Sequence, residues 1–129
     1  MWLSSLTKHQ RESLLGLAHN VVVSDGLLDP NEEFMLDEFK REMDLSPKTE
    51  SQYLELAGVD KVFDSRRARA IALLNLLRLS YVDGAFEIEE ECVLKEVSRA
   101  FGLQDSEFQL MDNWVRRLVA LEEEARGFM

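Results

Sequence analysis

Six carboxylates fall into two matched sets. Asp25, Asp29 and Glu32 lie in V-S-D-G-L-L-D-P-N-E-E (residues 23–33), and Asp83, Glu87 and Glu90 recur 58 positions later in Y-V-D-G-A-F-E-I-E-E-E (residues 81–91). Asp25 matches Asp83, Gly26 matches Gly84, Glu32 matches Glu90, and Glu87 is a like-charged exchange for Asp29. Carboxylate oxygens are hard ligands, so both sets suit a hard divalent cation such as calcium or magnesium.

Neither set suffices alone. D-G-x-[L/F]-[D/E]-x-x-E has the layout of the second half of an EF-hand loop, in which Gly makes the bend and Glu closes the site. The positions that should supply the early oxygens hold Val21 and Val23 in one copy and Leu79 and Tyr81 in the other. A cation therefore requires both turns. Two carboxylates about 4 Å apart repel by roughly 4 kcal/mol at an effective dielectric of 20, so a converging cluster needs a cation, a shared proton or a basic partner. Turn chemistry offers a competing account. Gly stops one helix, and Asp29 or Glu87 caps the next. Glu32 and Glu90 then complete capping boxes, each worth about 1 kcal/mol. Asp25 and Asp83 have no such duty.

The elements that position these turns are helical, because apolar residues recur at helical spacing almost throughout and no stretch alternates as a strand does. The expected fold is all-α, with about six helices. The first spans about 7–24 and starts at Thr7 with Gln10 three residues on. It turns Leu14, Leu17, Ala18, Val21 and Val22 inward. Asp29-Pro30-Asn31-Glu32 opens the second, whose buried face is Met35, Leu36, Phe39 and Met43. A third is predicted from Ser46-Pro47 to Gly58, carrying Tyr53, Leu54 and Ala57. After a loop at 59–63, Asp64 caps a fourth over about 65–83. The fifth, about 88–101, repeats the second through Val93, Leu94, Val97 and Phe101. The sixth follows Asp105 or Ser106 and buries Phe108, Met111, Trp114, Val115 and Leu118. These make a single domain over 1–129, built from two pseudo-twofold-related helix-turn-helix-helix repeats at about 7–58 and 64–126.

Charge narrows the partners. There are 25 Asp and Glu against 15 Lys and Arg, a net charge of −10. The only basic clusters, Arg66, Arg67 and Arg69 and the pair Arg116 and Arg117, lie inside predicted helices, which argues against nucleic acid. Cations or a basic protein surface are the better partners. The most apolar run, Ala70 to Tyr81, is broken by Asn75 and Arg78 and is too short for the roughly 20 residues that span a bilayer, so no direct membrane insertion is expected. M-W-L-S-S-L-T-K lacks the apolar core of a secretion signal, which points to the cytoplasm. Cys92, the only cysteine, precludes an internal disulfide and is expected to be a core thiol. Trp2 is expected to dock on the core, and Trp114 to belong to it. His9 and His19 belong to no H-E-x-x-H, and no G-x-S-x-G or phosphate-loop motif occurs, so no catalytic activity is expected.

At the two turns and the long apolar helices before them, the chain resembles the TerB-like family. Its domains are all-helical and duplicate a unit with an A/V-x-x-D-G-type turn and an acidic helix start. The resemblance runs from about Leu14 to Leu118. It implies a small cytoplasmic module associated with tellurite resistance and other stress responses, with acidic residues holding a divalent cation and no catalytic activity. Carried over, the site is Asp25 and Glu32 with Asp83 and Glu90. Related domains stand beside a J-domain in DjlA co-chaperones, but this chain has no H-P-D tripeptide, so that activity does not transfer. Copy two departs from copy one at Ile88 for Pro30 and Glu89 for Asn31. Two readings stay open: a cation-bridged interaction module, and a metal-free acidic adaptor that binds a basic protein partner.

Overall fold

A computed structural model describes residues 1–24, 26, 29–82 and 88–129, and among these all regular structure is helical. A 3-10 turn at Leu3–Ser5 precedes α1 (Lys8–Val22), α2 (Pro30–Glu42), α3 (Val59–Val62), α4 (Arg66–Ser80), α5 (Ile88–Ala100) and α6 (Asp105–Arg126). The Thr7–Gln10 capping box forms as expected: Gln10 N–H donates to Thr7 Oγ1 at 3.2 Å, and Thr7 N–H donates to Gln10 Oε1 at 3.0 Å. Asp29 caps α2 by accepting from the Asn31 N–H at 2.7 Å, ahead of Pro30. Ser65, rather than Asp64, caps α4, because its hydroxyl accepts from Ala68 N–H at 3.0 Å.

The sequence offset of 58 extends to the helix bounds. Adding 58 to 8–22 gives 66–80, the span of α4, and adding 58 to 30–42 gives 88–100, the span of α5. Burial follows the same offset. Leu14, Leu15, Ala18, Val21 and Val22 of α1 correspond to Ala72, Leu73, Leu76, Leu79 and Ser80 of α4, all buried. Phe39 and Met43 correspond to Val97 and Phe101, also buried. Even the helix ends agree. Asp44 and Gly102 take left-handed φ values of 57° and 78°. Leu45 N–H reaches the Lys40 carbonyl as Leu103 N–H reaches that of Ser98, the bonding of a Schellman stop.

α1 and α4 pack on each other, and each also contacts both α2 and α5. One apolar cluster runs through all of them, with Phe63 and Phe101 meeting edge-on at 5.3 Å between ring centroids. α6 covers α4 and α5, burying Phe108 and Val115 and partly burying Met111 and Trp114. Trp2 sits 6.3 Å from the Trp114 ring and stays half-exposed, while Leu3 and Leu6 behind it are buried.

The predicted third helix does not form. Residues 51–56 are irregular, and the only helix nearby is the four-residue α3 inside the expected loop. The reason lies on α1. Asn20 donates to the Leu54 carbonyl at 2.8 Å and accepts from the Leu54 N–H at 3.0 Å, satisfying both backbone groups that a helix would otherwise have used. His19 Nδ1 lies 3.1 Å from Ser51 Oγ. Gly16 lets the segment close in, since a Cβ there would stand 2.9 Å from Leu54 Cβ and 3.3 Å from the Gln52 carbonyl oxygen. Side-chain partners on a neighbouring helix thus override the local helical pattern.

Candidate functional site

Of the six acidic residues, Asp25, Asp83 and Glu87 lie outside the described residues. Asp29 serves as the α2 cap and is partly exposed. Glu32 and Glu90 hold equivalent places in the first turns of α2 and α5 and are only 3% and 2% exposed. First-turn acids ordinarily point to water, as Glu33 and Glu89 do. Burying a carboxylate is costly unless hydrogen bonds or opposite charge compensate it, and the fold imposes the same burial at both equivalent positions. Among the described residues, no three His, Cys, Asp or Glu side chains come together as a metal-binding group.

Two grooves show which helix ends lie side by side. One, of about 270 Å³, is lined by Asn31 and Met35 from the start of α2, Arg78, Tyr81 and Val82 from the end of α4, and part of α6. The other, of about 430 Å³, joins Val23 and Ser24 from the end of α1 to Ile88 and Glu89 from the start of α5. The chain entering the first turn therefore lies beside the helix leaving the second, and the chain entering the second lies beside the helix leaving the first. The end of α1 thus borders the start of α5, and the end of α4 borders the start of α2.

Beside the second turn is a polar network that the sequence reading missed. Tyr81 donates its hydroxyl proton to Asp112 Oδ1 at 2.6 Å, and Arg116 Nε donates to the Tyr81 oxygen at 2.8 Å and lies 3.2 Å from Asp112 Oδ2. Burial and the bond to Asp112 push the Tyr81 phenol from 10.0 up to about 12. Asp112 is buried and Arg116 lies over the Tyr81 ring. Asp112 and Arg116 stand one helical turn apart in sequence, which was the available signal, but nothing local named Tyr81 as their partner. Next to it, Arg78 reaches across to Glu122 on α6 at 3.0 Å.

Cys92 corrects an expectation. It is exposed on α5 and lines the groove beside the first turn. Its neighbour Leu94 faces the core and Val93 is partly buried at the groove wall, while the helical rotation carries Cys92 to the exposed side. No helix among the described residues is long and apolar enough to cross a membrane. No protein-family model matches the chain, and neither does any curated protein or solved structure.

Proposed function

We propose that the chain is a non-catalytic, TerB-like stress-response module that binds a divalent cation, calcium or magnesium, through its two acidic turns and acts by protein interaction. The observation that carries this reading is the paired burial of Glu32 and Glu90 at equivalent positions in the first turns of α2 and α5. The reciprocal grooves support it, because in them the end of α1 borders the start of α5 and the end of α4 borders the start of α2. In this reading Asp25, Glu32, Asp83 and Glu90 supply the oxygens, and Asp29 remains a helix cap. Calorimetric titration of chelator-treated protein with calcium, magnesium, manganese and zinc tests it. Saturable heat is expected for the wild type, and its loss in Asp25→Asn and Asp83→Asn. Absence of both saturable heat and a thermal shift removes the cation.

A metal-free acidic adaptor for a basic protein partner is the second reading. It is favoured by an exposed apolar strip bordered by acids on α5 that pair with no Lys or Arg among the described residues, together with the net charge of −10.

A further inference from the structure

The groove at the end of α1 has an apolar wall that is open to solvent. Its apolar wall is Val23, Tyr53, Leu56, Ile88 and Val93. Ile88 is 74% exposed, Tyr53 64% and Val23 47%. On α5, Ile88, Cys92 and Glu96 follow at intervals of four residues, so one stripe about 12 Å long faces outward along the groove. Glu89 and Glu96 border it, and neither pairs with a Lys or Arg among the described residues. Glu55 is also exposed, on the extended segment that forms the opposite wall. The segment is held there by the Asn20 clamp, so the groove is a built feature of the fold.

We infer that this groove receives a basic amphipathic helix of another protein. The apolar part of the stripe, Ile88 and Cys92, spans about one helical turn and, with Val23, Tyr53, Leu56 and Val93 beside it, fits a pair of apolar anchors at i and i+4. Glu89 and Glu96 are placed to meet Lys or Arg flanking such anchors, and the surplus negative charge of the whole chain speeds encounter with a cationic partner. An anionic membrane or an acidic peptide is disfavoured by the same charges. The inference rests on the protein-interaction side of the proposed function and is independent of the cation.

Cys92 gives a direct readout, because it lines the groove and is the only thiol. The full-length chain is mixed with a synthetic amphipathic helical peptide of Leu and Lys, and the rate at which a thiol-reactive disulfide modifies Cys92 is followed. Saturating peptide is expected to slow modification by about tenfold or more, while a counterpart carrying Glu for every Lys has no effect. Ile88→Lys, at a largely exposed position, and the double variant Glu89→Lys, Glu96→Lys are each expected to weaken protection about tenfold or more without altering the helical circular dichroism. Protection that survives these variants is general charge attraction and overturns the groove, as does equal protection by the acidic peptide or none by either. Concentration-dependent protection without peptide, with a dimer in sedimentation, assigns the groove to a second copy and also overturns it. Repeating the measurement with calcium and with chelator separates the two proposals. Lost calcium heat with intact protection removes the cation alone, and lost protection with intact calcium heat removes the basic-helix partner alone.

Discussion

The two halves of the molecule begin alike and finish differently. α1–α2 and α4–α5 share lengths, offset and helix stops, yet α1 is flanked by the irregular segment 51–56 where α4 is flanked by the 22-residue α6. The difference is written in two pairs of equivalent residues. Gly16 corresponds to Leu74, and Asn20 to Arg78. Gly16 and Asn20 accept a bare backbone against the helix, whereas Leu74 adds apolar bulk and Arg78 reaches for Glu122 on a helix farther out. Two helix pairs of matching length thus acquire unlike sides through what one face of the first helix can hold. The groove proposed for a basic partner lies on the side with the extended segment, and the Tyr81–Asp112–Arg116 network on the side with α6.

The sharpest way to break this contrast is to give α1 the α4 residue. Gly16→Leu is expected to cost about 2 to 3 kcal/mol in urea unfolding, since the new side chain collides with Leu54 and Gln52. Combining it with Leu54→Ala should recover part of that loss, and strict additivity would show that the collision is not the cause. Asn20→Ala comes next, at about 2 kcal/mol, because it strands both backbone groups of Leu54 in a partly buried place. Hydrogen exchange at the Leu54 amide should accelerate more than exchange in α4; equal acceleration would mean the clamp is not local.

On the other side, Tyr81→Phe removes the donor to buried Asp112 and is expected to cost about 1 kcal/mol at neutral pH. Folded Tyr81 holds its proton up to about pH 12, against 10.0 for the free side chain. Its contribution is therefore complete below pH 10 and is lost as pH rises through 12. The variant should show a shallower fall in stability across that window, and a parallel fall would refute the assignment. The smallest effect compares the two stops: Asp44→Gly, which copies Gly102, is expected to raise stability by about 0.5 kcal/mol by relieving a left-handed φ of 57°. A lower melting temperature would mean that the Asp44 side chain matters more than its backbone.

The all-helical class and the offset of 58 were legible because both are local properties. Leu14, Leu17, Ala18 and Val21 repeat at helical intervals, as do Leu94, Val97 and Phe101, and Asp29-Pro30 is a helix start whatever surrounds it. The same locality misled at 47–58, where Tyr53, Leu54 and Ala57 have helical spacing but the segment's hydrogen bonds go to α1. Cys92 was misplaced for a similar reason, since neighbouring apolar residues do not say on which side of a helix a side chain falls. The six candidate carboxylates were found by repetition alone. That Glu32 and Glu90 are buried, and that the flanks of the two turns share grooves, depends on how α1, α2, α4 and α5 cross.

Residue order by itself determined the five long helices, the stop at Gly102 and the offset of 58 in the sequence, because propensity, capping and periodicity act within a few positions along the chain. Tertiary structure alone decided which backbone leaves its helix to bond a distant Asn, which carboxylates are withdrawn from water and which apolar strip is left facing it. Those outcomes turn on contacts between residues tens of positions apart, where packing and hydrogen-bond satisfaction outweigh local preference.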